Sequence, residues 1–394
     1  MDAAIDNLLN VYFNAHMRLF TLGGGQLALM MCWEAQRLPL EFVFHDDPSA
    51  PAATCGRPAA DPFEEVDRAD VVTFEFENVD LKVAEYAELK GKLKPPLAYL
   101  AVKKGRIAER KLFQSLGIPT ASWRIARDGR EALEIAKSMG RAVIKVPTGG
   151  YDGKGQFYYP READAIAELE GELLVEEYVD IAREFSIIAV RDERGDVYFY
   201  PPAQNYYVDG ILVWNFAPAK APEEAYEYVY RLLEWQKYVG VLAVEFFETR
   251  NGEILVNEIA PRVHNTGHWT LETDASQFEN HVRAVAGLPV RGPTAVKPTA
   301  MVNILGRGLE ELPLRQLEEL GKVYWYRKRD VKPRRKMGYV NIVADTVEEA
   351  AAKAREALRL IYGRDFPRLV LRRPLSRRSE TSAQRPASPL SSFV

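Results

Sequence analysis

Two glutamates near the middle of the chain, Glu245 and Glu258, lie in apolar, strand-like segments, Val241 to Thr249 and Ile254 to Ile259. Asn251-Gly252 between them is a strong two-residue hairpin signal, because both residue types tolerate the positive φ such turns require. A two-residue turn pairs Arg250 with Glu253. Counting outward then sets Glu245 opposite Glu258, with β-carbons roughly 5 Å apart on one face. Like charges that close repel unless a cation lies between them, and hard carboxylate oxygens combined with phosphate oxygens suit Mg²⁺. The alternative is a solvated sheet face; the flanking Leu242, Val244, Phe246, Leu255, Val256 and Ile259 argue against it.

A glycine-rich loop, Gly149-Gly150-Tyr151-Asp152-Gly153-Lys154-Gly155, begins four residues past Lys145. Glycines let backbone amides converge on phosphate oxygens, and Lys145 and Lys154 add charge. The loop lacks a Gly-Lys-Ser/Thr ending, so it is not a Walker loop, and a flexible hairpin has the same composition. Leu173 to Val179 is an apolar strand running into Glu176 and Glu177, suited either to reading a purine and a ribose or to plain core packing. Glu184 is ambiguous alone. Arg262 to Trp269 sets Arg262, His264 and Asn265 just after Glu258, as ligand contacts or as a satisfied structural cluster. Arg327 to Lys336 is a basic run, readable as a solvated face or as a phosphate clamp.

These residues need elements to hold them. Met17–Leu22 reads as a strand closed by three glycines, followed by a helix from Gln26 to about Arg37 and strands over Leu40–Phe44 and Asp70–Phe76. Strands alternating with helices imply a parallel, doubly wound sheet. Helices follow over Arg106–Leu116 and Arg130–Met139, then a strand over Ala142–Val146. From Leu173 to Thr249 strands dominate, interrupted by a helix over Glu223–Tyr238. After Pro298 a small α+β unit carries a helix over Val347–Tyr362, with Thr346 and Glu349 spaced as a capping box and Gly363 as its stop.

The 394 residues are enough for two or three domains, and 47% apolar with 27% charged is ordinary globular balance. No apolar stretch approaches the roughly 20 residues of a membrane span. A net charge of -4 leaves no basic footprint for nucleic acid. The two cysteines, Cys32 and Cys55, are expected as reduced thiols without a disulfide framework, and none of the five histidines sits in a His-Glu-x-x-His pattern. Residues 1–16 carry Asp2 and Asp6 and lack a secretory pattern; they are expected to be an extension, and the protein cytoplasmic. The stretch beyond Arg372 is expected to be a disordered tail.

Taken in order, the segments resemble the 5-(carboxyamino)imidazole ribonucleotide synthases of the ATP-grasp superfamily, from about Arg18 to Arg372. The most specific matches are Thr148–Gln156, Ala243–Phe247 and Asn257–Trp269; Phe74-Glu75-Phe76-Glu77-Asn78, Phe199–Pro202 and Asp209–Leu212 add to them. The resemblance implies an α/β ATP-grasp fold. A Rossmann-like domain would span 17–109, the ATP-grasp domain 110–296, and a small α+β domain 297–372, with the tail at 373–394. It implies a ligase that uses ATP, Mg²⁺ and bicarbonate to carboxylate 5-aminoimidazole ribonucleotide in purine synthesis, as a homodimer.

By motif, ATP would meet Arg106, Lys145, Gly150, Tyr151, Asp152, Gly153, Lys154, Gly155, Gln156, Glu176, Glu177, Tyr178, Val179, Glu184, Tyr207, Asn257 and Glu258. Glu245 and Glu258 would hold the metal. Tyr151, Asp152, Lys154, Arg262, His264, Asn265, Lys328 and Arg335 would meet the ribonucleotide, and Lys145, Lys154 and Arg262 would be catalytic. The chain departs from the family pattern at Ala28 and Leu29 (usually glycine and arginine), Tyr207 (histidine), Arg334 (glycine) and Tyr339 (histidine). Three rivals stand beside this reading. Gly23, Gly25, Ala28 and Asp46 fit a dinucleotide-binding pattern; a formate-using transformylase shares the superfamily; and a non-enzymatic sensor would tolerate the departures.

Overall fold

A computed structural model of the chain describes residues 17–148 and 155–363. The expected extension and tail, and Gly149 to Lys154 of the glycine loop, lie outside the described residues.

The first layer is a parallel sheet. Strands β1 (Met17–Leu22), β2 (Leu40–His45), β3 (Arg57–Pro58) and β4 (Val71–Phe74) run in the order β3-β2-β1-β4. Helices α1 (Gln26–Ala35), α2 (Pro62–Arg68) and α3 (Leu81–Leu89) connect and cover them. Phe20, Val43, Val72 and Phe74 are buried in one continuous cluster, as a sheet covered on both faces requires.

Helices α4 (Leu97–Lys103) and α5 (Arg106–Ser115) lead to a four-stranded antiparallel sheet. It comprises β5 (Trp123–Ala126), β6 (Ala142–Lys145), β7 (Gln156–Tyr159) and β8 (Leu173–Glu177), ordered β5-β8-β6-β7. Helices α6 (Gly129–Met139) and α7 (Ala163–Ala167) accompany it. A nine-stranded antiparallel sheet forms the rest: β9 (Ile181–Arg191), β10 (Val197–Phe199), β11 (Ala203–Val208), β12 (Ile211–Ala217), β13 (Gly240–Thr249), β14 (Ile254–Ala260), β15 (Thr299–Leu305), β16 (Lys322–Trp325) and β17 (Lys336–Val343). Its order is β14-β13-β9-β11-β12-β15-β17-β16, with β10 beside β9, so it runs unbroken past Pro298. Helices α8 (Glu223–Trp235), α9 (Gln277–Val285), α10 (Leu314–Leu320) and α11 (Val347–Tyr362) complete the described chain. None of its helices is long and apolar enough to cross a membrane.

The cap of α11 is half of the expected box. Thr346 accepts from the Glu349 amide, but Glu349 returns its bond to the Asp345 amide, one residue early.

The expectation of two free thiols is wrong. Cys32 on α1 and Cys55, after the 3-10 turn Pro51–Thr54, form a disulfide across 23 positions. A count of two cysteines excludes a framework but not a single bridge, and here the fold folds the loop after β2 back against α1. Disulfides are rare in reducing compartments, so cysteine usage no longer supports a cytoplasmic location.

Helix α9 docks the parallel sheet on the large one through a buried histidine. The Val241 amide donates to His281 Nδ1 (3.1 Å), which leaves the proton on Nε2 to donate to Thr73 Oγ1 (2.9 Å). Burial depresses this imidazole to about 3. An unfolded histidine titrates near 6.5, so below that pH the unfolded chain takes up a proton that the folded chain refuses. The associated stability is complete above about pH 6.5 and is lost as pH falls toward 3. In denaturant unfolding, His281→Gln should be less stable at pH 7 but have a shallower loss between pH 6.5 and 4, by about one proton. An unchanged slope would show that His281 is not what senses acid.

Candidate active site

The described residues on either side of the glycine loop are tied together. Arg106, at the start of α5, donates through Nη1 to the Val146 carbonyl (3.0 Å) and the Gly155 carbonyl (3.1 Å). Val146 and Gly155 also pair through their backbones, and the Arg106 amide holds Pro147. Gly155 has φ +64, and a side chain there would strike Val146. Gly150, Tyr151, Asp152, Gly153 and Lys154, expected at ATP and substrate, fall outside the described residues; Gly155 and Gln156 lie at the loop's exit into β7.

From β6 a chain of alternating charges runs to β14. Lys145 pairs with Glu176, whose other oxygen accepts from Arg110 Nε at 2.5 Å. Arg110 lies 3.5 Å from Glu109, Glu109 lies 3.1 Å from Lys103, and Lys103 lies 2.6 Å from Glu258. Burial opposes the charge on Glu176, but Arg110 and Lys145 outweigh it and hold the carboxyl down to about 2. Burial likewise depresses Lys145, with Glu176 restraining the shift.

The sequence reading missed Lys103, Glu109 and Arg110. A signal was present: Glu109 and Arg110 share the buried stripe of α5 with Ile107, Leu112 and Phe113, where charge needs a partner.

Glu245 and Glu258 do stand opposite each other, though not through the expected turn. Arg250 does not pair with Glu253. The turn has three residues, Arg250, Asn251 and Gly252, with Gly252 at φ +82 and Thr249 bonded to Glu253. Phe246 therefore faces Val256, and an unpaired Asn257 shifts the frame back so that Glu245 meets Glu258. A bulge at this point re-aims the strand beside the site.

Glu245 is buried, while the Glu258 side chain is 48% exposed. Burial first, then the charge of Glu258, lifts Glu245 above the usual carboxylate range. Burial pushes Glu258 the same way, but the Lys103 ammonium outweighs it and holds that carboxyl below the usual carboxylate range. Burial raises Glu184, on β9, to about 7. The Tyr207 hydroxyl, on β11, lies beside Glu245 and Glu184 without satisfying hydrogen-bond geometry.

No group of three or more histidines, cysteines, aspartates or glutamates is arranged for a metal among the described residues. A cation at Glu245 and Glu258 would therefore complete its shell with phosphate and water, which is how Mg²⁺ binds at nucleotide sites. The donor set fits.

After β14, Arg262 contacts Glu77 from the parallel-sheet domain at 2.9 Å and donates to the Val263 carbonyl. His264 Nδ1 accepts from the Thr266 amide, so Nε2–H faces Glu245 at 3.7 Å. Burial and the Arg262 charge keep His264 neutral. The Asn265 amide is taken up in a reciprocal pair with Asn303. At β8 the Glu177 amide holds the Ser122 carbonyl, and Tyr178, followed by half-buried Val179, lies under the Arg141 guanidinium at 3.8 Å. In the basic run, Lys328 donates to the Lys336 carbonyl and Arg335 to that of Asp330.

The dinucleotide reading fails on geometry. Glu75 fills the start of α1, accepting from Gly25 (2.8 Å), Leu27 (3.2 Å) and Ala28 (3.3 Å), and Asp46 accepts from Gly24. A side chain at Gly25 would collide with Glu75. The amides a pyrophosphate would use are thus occupied by the protein's own carboxylate.

Three family models match in succession. They are the ribonucleotide synthetase preATP-grasp domain over residues 17–104, the ATP-grasp domain over 111–278, and the phosphoribosylaminoimidazole carboxylase C-terminal domain over 299–353. The N5-carboxyaminoimidazole ribonucleotide synthase of Saccharolobus solfataricus is 44% identical over 352 residues, covering 86% of this chain and 95% of that one. The chain belongs to the N5-carboxyaminoimidazole ribonucleotide synthase family.

The family likeness extends to solved structures. The phosphoribosylaminoimidazole carboxylase ATPase subunit from Aquifex aeolicus is 37% identical with a TM-score of 0.76, covering 88% of this chain and 100% of that one. The N5-carboxyaminoimidazole synthase of Aspergillus clavatus, solved with ADP and 5-aminoimidazole ribonucleotide, is 26% identical with a TM-score of 0.76, covering 88% and 98%. The α/β ATP-grasp fold and the ATP-dependent ligase class expected from the sequence are both borne out.

Proposed function

We propose that this chain carboxylates the exocyclic amine of 5-aminoimidazole ribonucleotide with ATP and bicarbonate in purine synthesis. A bicarbonate oxygen attacks the γ-phosphorus and ADP leaves. The amine nitrogen then attacks the carboxyl carbon of the carboxyphosphate; the C–O bond to phosphate breaks, phosphate departs and the amine gives up a proton.

The observation that carries this reading is the opposed pair Glu245 and Glu258 at one end of a charge chain that ends at Lys145. Little acid–base chemistry is demanded, so catalysis is positioning and electrostatics. Arg106 ties Val146 to Gly155 at the two ends of the glycine-rich segment assigned to the phosphates, and Lys145, oriented by Glu176, would reach the same phosphates. Glu177, Tyr178 and Val179 receive the base, with Glu184, Tyr207 and Asn257 closing the nucleotide site. Mg²⁺ at Glu245 and Glu258 neutralises phosphate charge when bound. By the family resemblance, Tyr151, Asp152, Lys154, Arg262, His264 and Asn265 would meet the ribonucleotide, with Arg262 braced by Glu77, and Lys328 and Arg335 would take its phosphate. The family resemblance also supports a cytoplasmic homodimer.

ADP release should require 5-aminoimidazole ribonucleotide, bicarbonate and Mg²⁺ together. Equal stimulation by glycinamide ribonucleotide and formate would move the assignment to the transformylase.

A further inference from the structure

Lys103 has no role in the reaction as written, yet its ammonium is the cation on Glu258. It closes α4 with a side chain only 14% exposed, and it reaches two carboxylates, Glu258 at 2.6 Å and Glu109 at 3.1 Å. We propose that Lys103 is a positioning residue that occupies the cation's place on Glu258 in the metal-free protein and competes with the divalent ion for that carboxylate.

Three features carry this inference, which rests on reading Glu245 and Glu258 as the metal pair. First, the opposed carboxylates would repel across the β13–β14 ladder without a cation, and Lys103 is the one ion-pair partner of Glu258 among the described residues. Second, an exchange strands no charge. Glu109 remains as partner when Lys103 lets go, and Glu109 is fixed independently by the Ile259 amide at 3.0 Å. Third, Glu258 is half exposed while Lys103 approaches from the protein side, so an incoming ion has access to the carboxylate. Binding is then an exchange of one cation for another, and Lys103 sets how much free metal the site needs.

The test is a Mn²⁺ titration of nucleotide-free protein, followed by electron paramagnetic resonance, with melting temperature recorded beside it. Lys103→Gln should bind Mn²⁺ about tenfold tighter than wild type, the scale of losing one competing ion pair. Its metal-free melting temperature should fall, and Lys103→Arg should stay close to wild type. Lys103→Met, which keeps the apolar stem, gives the same comparison if Lys103→Gln does not fold. Unchanged or weaker Mn²⁺ binding in a folded variant overturns the proposal. So does a loss of metal-free ADP affinity in its place, which would make Lys103 a phosphate ligand. Glu258→Gln should weaken Mn²⁺ binding whether or not Lys103 is present. If it does not, the metal-pair reading itself has failed, separately from Lys103.

Discussion

Glu258→Gln should lower kcat/KM by about 100-fold or more at limiting Mg²⁺, with the fold intact. Replacing the carboxylate with an amide removes one charge from a two-carboxylate site while keeping its shape, and losing such a ligand costs several kcal/mol of transition-state stabilisation. Lys103 keeps Glu109 as a partner, so the variant leaves no buried ammonium alone. Glu245→Gln should fall in the same direction, and raising Mg²⁺ should recover part of the loss in both. Near-normal rates for both variants at limiting Mg²⁺ would mean that the opposed glutamates do not hold a metal.

The second large effect belongs to the basic run. Arg335→Ala should raise the ribonucleotide KM about 10- to 100-fold and leave the ATP KM little changed, because a charge-assisted bond to phosphate is worth roughly 1.5–3 kcal/mol. Lys328→Ala should behave alike. Arg334→Gly should be mild, and the structure explains why glycine is usual there. Arg334 sits at φ +69, a conformation costly for any side chain, and it is held by its bond to the Asp209 carbonyl at 2.9 Å. Glycine would relieve the strain while losing that bond. If Lys328→Ala and Arg335→Ala both match wild type within about half a kcal/mol, the run is a solvated surface.

The fold was legible wherever pattern is local. β1, α5, α6 and α11 fall within one or two residues of their expected bounds, because apolar spacing and glycine stops act over a single element. The hairpin that carries Glu245 and Glu258 shows where such reading stops. Two departures, a three-residue turn and a bulge at Asn257, each shift the register by one and cancel, so the right pair emerged from a wrong turn. The Cys32–Cys55 bridge and the Lys145-to-Glu258 charge chain were out of reach for another reason. Their partners come from different elements, and no periodicity reports which elements meet. Tyr339 makes the same point. It replaces the family's usual histidine and is buried, stacked on Tyr324 at 4.8 Å with its hydroxyl on Met30, which is a packing role that its sequence neighbours do not announce.

The most direct test of the central claim follows the carbon. Protein supplied with ATP, Mg²⁺, 5-aminoimidazole ribonucleotide and ¹³C-bicarbonate should give a labelled carbamate on the exocyclic nitrogen, seen by NMR, with ADP formed in step. ADP release with no label on that nitrogen, or turnover that demands formate in place of bicarbonate, would contradict it.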